Sequence, residues 1–471
     1  MTAWPVGRRL YTLGLWLFAP LALLRLVLRS RRQPEYLQHL GERFGRYGEA
    51  GQAETDTVAP LIWLHAVSVG ETQAARPLIE ALRARMPQAQ LLITHMTPTG
   101  RASAQALFGD RVRSVYLPYD FPFAVRRFLA HFRPTLGLIM ETELWPNLIS
   151  GCARTGTPLY LVNARLSERS AARYRRFPRL SAAALRGLSG ILAQTAQDAD
   201  RLRALGAPAV TVTGNVKFDA LPAPAQIALG EAWRARWTGT PSRAAAIPPG
   251  GPRSPGEPTP WTGTPSRAAA TPHGISAGSE RTRPVWVAAS TREGEEALLL
   301  DLLPAVTVPD ALLVLVPRHP QRFDEVARRL EASGVRFVRR SADGAIEALA
   351  DPSIRVLLGD SMGELAAYYS ASDLAFVGGS LLPLGGQNLI EACALGLPVL
   401  VGPHTFNFRE VAEQAIAAGA ALRVADAGAL AGEVNRLLGD SAARAVMGSA
   451  GKAFAETHRG ATARTLERLF G

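Results

Sequence analysis

The stretch Leu61-Ile62-Trp63-Leu64-His65-Ala66-Val67-Ser68-Val69-Gly70-Glu71-Thr72 decides the fold. Residues 61–67 form a short, nearly continuous apolar run, as expected of a strand buried on both faces. Helical spacing then begins at Thr72 and holds to Arg85, so a strand turns directly into a helix at Ser68 to Glu71. Working outward, residues 91–94, 136–140, 159–162 and 190–193 repeat the strand signal with helical segments between them. A second series follows at 285–289, 312–316, 355–358, 374–377 and 399–401. This is the βαβ rhythm of parallel sheets covered on both faces, and it predicts two doubly wound α/β domains in tandem.

The chain has 471 residues, enough for two domains each with its own core. With 47% hydrophobic and 20% charged residues it reads as globular. The net charge of +12 asks for an anionic partner. No RNA-binding aromatic motif, zinc finger or helix-turn-helix pattern accompanies it, so nucleic acid is not expected. A solvated, arginine-rich surface accounts for many of the arginines equally well. Cys152 and Cys393 lie in apolar, helix-like runs and read as buried thiols in a reducing compartment.

Residues 11–28 are almost wholly apolar, interrupted by Pro20 and Arg25 and flanked by Arg8, Arg9, Arg29, Arg31 and Arg32. We expect residues 1–32 to be a membrane anchor helix, spanning or interfacial, whose basic flanks hold anionic lipid headgroups. A helix packed on the first domain is the alternative. Residues 33–221 form the first Rossmann-like domain and 285–448 the second. Between them, 222–284 is rich in Pro, Gly and Ser, and residues 237–246 recur nearly intact at 261–270. Such a tract cannot bury a core; we expect a disordered linker with no catalytic role. Residues 449–471 are helical in pattern, and two-domain architectures of this kind suggest that they pack back toward the first domain.

In the second domain, three ligand-type loops follow successive strands. Pro317-Arg318-His319-Pro320 follows the first, and Arg318 can pair with a phosphate through its planar fork while His319 hydrogen-bonds the same group. Gly359-Asp360-Ser361-Met362-Gly363-Glu364 opens a helix; Ser361 and Glu364 read as a capping box, and the same helix start can receive a phosphate. Then come Gly378-Gly379-Ser380 and Gly385-Gly386-Gln387-Asn388-Leu389-Ile390-Glu391-Ala392, where glycines admit a ligand close to the backbone. Asn388 is a candidate N-cap, and Glu391 can accept from ribose hydroxyls. Together these loops indicate a nucleotide site. The absence of Walker and early Gly-x-Gly-x-x-Gly patterns argues against ATPase and dehydrogenase chemistry.

In the first domain, Glu71 sits in a first helical turn, where the helix dipole favours a carboxylate; the same dipole is expected to keep Glu71 ionised, as a base must be. Glu141 and Glu143 end another strand in Met140-Glu141-Thr142-Glu143-Leu144-Trp145-Pro146-Asn147, placed to orient hydroxyls, while Trp145 either stacks on a sugar or packs. The loop Asn163-Ala164-Arg165-Leu166-Ser167-Glu168-Arg169-Ser170 is basic and hydroxylic, which suits a phosphorylated acceptor. Lys217 is one of two lysines in the chain, the other being Lys452. No metal-binding acid cluster is read.

The glycine-rich loop, Asn388-x-x-Glu391-Ala392 and Gly396-Leu397-Pro398-Val399 resemble the donor half of GT-B glycosyltransferases. In detail, Pro317 to Pro320, Met362-Gly363-Glu364 and Asn388 to Glu391 resemble the CMP-binding elements of the bacterial Kdo (3-deoxy-D-manno-octulosonic acid) transferases. Ser68-Val69-Gly70-Glu71 and Glu141-x-Glu143-x-Trp145-Pro146-Asn147 are similar to that family's motifs, and the likeness covers about residues 10–225 and 284–470. The resemblance implies a GT-B fold, with two Rossmann-like domains facing across a cleft. It implies CMP-Kdo as donor, a lipid A precursor as acceptor, inversion without metal or cofactor, and work at the cytoplasmic face of the inner membrane. Within it, Glu71 is the general base, and Glu141 and Lys217 stabilise the transition state. Pro317, Arg318, His319, Met362, Gly363, Glu364, Asn388, Leu389, Ile390 and Glu391 hold CMP. Asn163, Arg165, Ser167 and Arg169 meet the acceptor phosphates. His95 stands where the resemblance leads us to expect threonine. The rival readings are another GT-B enzyme using a UDP-sugar, an epimerase of that fold, and a non-enzymatic membrane protein.

Overall fold

A computed structural model of the chain describes residues 5–31, 33–48, 59–220, 222–238 and 283–471. Two compact units emerge: Met1–Ala220 with His458–Gly471, and Leu221–Thr457.

The first unit is built on β1 (Leu61–His65), β2 (Gln90–His95), β3 (Arg113–Tyr116), β4 (Leu136–Met140), β5 (Leu159–Ala164), β6 (Gly190–Ala193) and β7 (Val210–Val212), in the order β3-β2-β1-β4-β5-β6-β7. The neighbouring strands pair in parallel. Every residue of β1 and β4 is buried, because helices cover both faces of the sheet. Trp63 is fully buried among Phe128, Leu148 and Leu159 on one face, and its indole N–H is satisfied by Thr94 Oγ1 at 2.8 Å. Ile62 and Leu64 point to the other face, against Leu78, Ile79 and Leu82.

The second unit repeats the plan with β8 (Val285–Thr291), β9 (Leu312–Pro317), β10 (Phe337–Arg339), β11 (Val356–Leu358), β12 (Leu374–Val377), β13 (Val399–Val401) and β14 (Ala421–Arg423), in the order β10-β11-β9-β8-β12-β13-β14. The edge strands β3, β7, β10 and β14 carry no apolar run in the sequence. They are short and half-exposed, and edges tolerate polar side chains that a central strand would not.

Two boundaries differ from expectation. Residues 222–284 do not form one linker: Pro224–Thr238 is a helix of the second unit. Its Trp233 ring lies 5.4 Å from Tyr368, and Arg234 pairs with Asp373 at 2.7 Å. Gly230 lets this helix approach the backbone carbonyl of Ala367, a space that a Cβ would fill. The Pro- and Gly-rich composition begins only beyond it, and residues 239–282, with most of the duplicated tract, lie outside the described residues. At the other end, the helix Ser441–Thr457 belongs to the second unit, and the chain joins the first at His458 rather than at residue 449. The Asp219 carboxylate accepts the Gly460 and Thr462 N–H groups at 2.7 and 2.6 Å, capping the last helix, Ala461–Phe470.

Candidate active site

In doubly wound sheets ligands bind beyond the carboxyl ends of the strands, where the winding direction reverses. The first sheet reverses between β1 and β4, and the second between β8 and β12. The residues after β1 and β4 are those carrying Glu71 and Glu141; those after β8 and β12 are Arg292 to Glu296 and the Gly378-Gly379-Ser380 loop. Three non-glycine residues at the carboxyl ends of β4, β5 and β8, Glu141 (φ 59°), Asn163 (φ 51°) and Ser290 (φ 56°), hold left-handed backbone conformations. Such strain costs on the order of 1–3 kcal/mol each and gathers at functional sites.

Glu71 lies in the first turn of the helix Val69–Arg85, with Ser68 as N-cap. Its carboxylate turns back to accept the Val67 N–H at 2.7 Å. Contrary to the expectation from the helix dipole, the group is not held in the ordinary carboxylate range. Burial, followed by the negative charge of Glu141, pushes it up to about 8, while the Val67 N–H and Lys217 pull it back only partly. Desolvation outweighs a dipole worth at most about 2 kcal/mol. Lys217 Nζ donates to Glu141 Oε1 at 2.8 Å, and both side chains are largely shielded. Lys217 is positioned by the 3-10 turn Val216–Asp219, which is capped by Asn215. Burial and then Glu141 also raise the Glu143 carboxyl. The result is a carboxylate cluster holding one cation, with a proton acceptor poised near neutral pH.

Asn163 is fully buried, and its side-chain oxygen accepts the Val216 N–H at 3.1 Å. It therefore builds the Lys217 turn and does not face an acceptor, a correction to the sequence reading. Arg165 borders a small cavity with Glu141, Thr142 and Tyr174. Ser167 caps the helix Glu168–Arg175 through the Ser170 N–H, and Arg169 is exposed. Trp145 packs against the core, its ring 6.4 Å from that of His65. An Asp-x-Asp sequence does occur, at 198–200. It lies in the helix Ala196–Ala204, where Asp198 is buried on the Leu166 N–H and Asp200 pairs with Arg203. Among the described residues no group of three His, Cys, Asp or Glu forms a metal site.

In the second unit, Arg318 follows β9, and its backbone N–H is bound to the Thr291 carbonyl at 2.9 Å. Burial lowers its guanidinium, Glu391 opposes the shift, and Arg292 adds to it. His319 is lowered by burial and by the positive charges of Arg292, Arg318 and Arg322. Arginines and one imidazole thus converge where β8 and β9 end, the charge pattern an anionic group requires. Asn388 Oδ1 accepts the Ile390 N–H at 3.1 Å, and its Nδ2 lies 3.4 Å from Glu391 Oε1. Leu389, not Asn388, is the N-cap of the short helix Ile390–Ala394. Leu389 and Ile390 are buried core side chains, so only their backbone can reach a ligand. The capping box expected at Ser361 and Glu364 is also absent as such. The helix Leu365–Ser370 starts after Glu364, whose carboxylate takes the Ser361 hydroxyl and pairs with Arg340 at 2.9 Å. Met362 and Gly363 are exposed.

Sequence reasoning missed Glu295. It is fully buried, and its carboxylate accepts four backbone N–H groups: Arg292 at 2.9 Å, Gly379 at 2.5 Å, Ser380 at 2.9 Å and Leu381 at 3.0 Å. This one side chain fixes the glycine loop after β12 to the loop after β8. The acidic run Glu293, Glu295, Glu296 at a strand end was the available signal. Glu296 pairs with Arg322 at 3.1 Å and accepts from Thr291.

Residues 38–220 match the family described as 3-deoxy-D-manno-octulosonic-acid transferase (kdotransferase), and residues 340–454 match glycosyl transferases group 1. The chain is similar to a 3-deoxy-D-manno-octulosonic acid transferase of Bordetella pertussis, 43% identical over 98% of this chain and 99% of that one. A Haemophilus influenzae protein of the same name is 36% identical over 98% of each. Among solved structures, Anabaena Alr3699/HepE in complex with UDP covers 87% of this chain and 98% of its own at a TM-score of 0.52 and 13% identity, a likeness of fold alone.

Proposed function

Because the chain belongs to the 3-deoxy-D-manno-octulosonic acid transferase family and is a glycosyltransferase of GT-B fold, we propose that it transfers Kdo from CMP-Kdo to a lipid A precursor, lipid IVA, with inversion and without a metal. The reaction serves the inner core of lipopolysaccharide at the cytoplasmic face of the bacterial inner membrane. The observation that carries the chemistry is the Glu71 carboxyl, bound to the Val67 N–H and raised to about 8 beside the Glu141–Lys217 pair.

In this reading the ionised Glu71 takes the proton of an acceptor hydroxyl as its oxygen bonds to the anomeric carbon of Kdo. The bond from that carbon to the CMP phosphate oxygen breaks, and CMP leaves with the electron pair. A base near pKa 8 is a stronger proton acceptor than an ordinary carboxylate and is still partly ionised at neutral pH. Glu141 stabilises positive charge on the sugar, and Lys217 offsets negative charge on the departing phosphate, a role that elsewhere falls to a metal. Arg318 and His319 hold the CMP phosphate, the backbone of 388–390 and of Met362 to Glu364 lines the nucleotide, and Glu391 accepts from the ribose. Arg165, Ser167 and Arg169 serve the acceptor phosphates.

Mass spectrometry of lipid IVA incubated with CMP-Kdo and the protein tests this directly: a product heavier by one or more Kdo residues is expected, and its loss in Glu71→Gln. An unchanged acceptor, or inhibition by UDP stronger than by CMP, overturns the reading.

A further inference from the structure

The N–H that holds the Glu71 carboxylate, that of Val67, belongs to a peptide group whose other end is the Ala66 carbonyl. That carbonyl lies 2.9 Å from Nδ1 of His95, the last residue of β2. A carbonyl oxygen only accepts, so Nδ1 carries the hydrogen and donates it. An imidazole and a carboxylate therefore grip opposite ends of one peptide unit. The chain of contacts runs from His95 Nδ1–H to the Ala66 oxygen, and from the Val67 N–H to Glu71 Oε2.

The backbone around this peptide is held mainly from β2 and the residues just after it. The Ala66 N–H donates to the Thr94 carbonyl at 3.0 Å. The Val67 carbonyl accepts the Met96 N–H at 3.4 Å and the Thr97 hydroxyl at 3.3 Å. All four backbone polar groups of Ala66 and Val67 are thus bound, three by residues 94–97 and the fourth by Glu71. His95 itself is fully buried, and its Nε2 has no partner among the described residues. Leaving that nitrogen unpartnered costs free energy, and the one bond the ring makes falls on the peptide that Glu71 holds.

The charged and titratable groups facing His95 are Arg101, from the helix Pro98–Phe108 and paired with Glu42 at 2.8 Å, and His65 of β1. Burial holds His95 down to about 4, with the Ala66 carbonyl opposing and Arg101 assisting. The ring is therefore neutral where Glu71 titrates, and it acts as a fixed dipole. Hydrogen bonds in a chain polarise one another, so a donor on the carbonyl makes the N–H of the same peptide a stronger donor. A stronger N–H favours the ionised carboxylate. Glu141, Glu143 and Lys217 act on the same carboxyl through space. His95 acts through the backbone, from β2, on the other side of β1 from β4.

We propose that His95 is a positioning residue for Glu71: through the Ala66–Val67 peptide it aims and strengthens the N–H that holds the carboxylate. Its consequence for transfer rests on the reading of Glu71 as the base.

The test follows the carboxyl directly. Full-length protein labelled with 13C at the glutamate carboxyl carbons is titrated by NMR, and Glu71 is assigned as the signal missing in Glu71→Gln. His95→Leu and His95→Val both remove the donor and differ in volume. In each, the Glu71 midpoint is expected to rise from near 8 by about half a pH unit. His95→Asn, whose amide N–H can stand where Nδ1–H stands, is expected to leave it in place. An unmoved midpoint in the Leu and Val variants, or an equal rise in His95→Asn, overturns the proposal. His95→Val, suited to a strand end, carries the test alone if His95→Leu does not fold. The kcat/KM profile of the same variants is expected to follow the carboxyl, with a loss of about threefold at pH about 7. A carboxyl that moves while the kinetic limb stays in place upholds the role of His95 and overturns instead the reading of Glu71 as the base.

Discussion

Glu71 carries the sharpest expectations at the scale of single residues. Replacing it by Gln keeps the shape and removes the proton acceptor, so kcat should fall by about 10²–10⁴-fold with the CMP affinity unchanged. The wild-type kcat/KM should rise with pH through a midpoint near 8, because only the ionised form accepts a proton. Lys217→Met removes a favourable charge and should move that limb to higher pH. Glu141→Gln removes a repulsive one and should move it lower, even though both variants are slower. A limb that stays in place in both would mean that neither charge acts on the Glu71 carboxyl. The sequence made Glu71, Glu141 and Lys217 visible because each stands at a strand end or breaks a compositional habit. It could not show the ionisation of Glu71, which depends on burial and on a carboxylate 70 positions away. The same limit explains Asn163, a polar residue in a loop-like motif that tertiary packing turns inward to hold the Val216 N–H.

At the scale of elements, the glycine loop after β12 has little stiffness of its own, and its shape is imposed by Glu295. Glu295→Gln puts an amide N–H where four backbone donors need an acceptor. The cost should be on the order of 3 kcal/mol, with faster hydrogen exchange at Gly379 to Leu381 and weaker CMP binding, while the pH midpoint assigned to Glu71 stays in place. Unchanged exchange in this loop would remove Glu295 from its positioning role. The central strands were legible from uninterrupted apolar runs, since a strand covered on both faces leaves no room for polar side chains. The edges were not: β7 and β14 are short and half-exposed, and their membership is decided by pairing with β6 and β13. The helix Pro224–Thr238 escaped for a related reason, because its value lies in the fit of Gly230 and Trp233 against Ala367 and Tyr368.

At the scale of the molecule, buried titratable groups of the first unit set how stability responds to acid, and they act in opposite directions. His65 and His95 are fully buried on neighbouring strands. Burial holds them down to about 3 and about 4, with His95 also lowering His65. Each binds a proton in the unfolded chain below about 6.5 but not in the folded one, so each removes on the order of 1.4 kcal/mol per pH unit as the pH falls from 6.5 toward its folded value. Glu71 and Asp120 are raised by burial to about 8 and about 7. They take up a proton on folding and so add stability as the pH falls through those values toward the ordinary carboxylate range. Between pH 6.5 and 4.5 the two pairs offset one another, and the wild type should respond weakly. His95→Thr, which restores the residue expected from the family resemblance, removes one of the opposing terms. Its stability should therefore rise relative to wild type by about 1.4 kcal/mol for each pH unit of acidification in that window. Hydrogen exchange at the β1 and β2 amides, followed from pH 6.5 to 4.5, reads this difference within the first unit. Parallel pH profiles for His95→Thr and wild type would mean that His95 is protonated in the folded protein and that its hydrogen bond to the Ala66 carbonyl at 2.9 Å outweighs its burial.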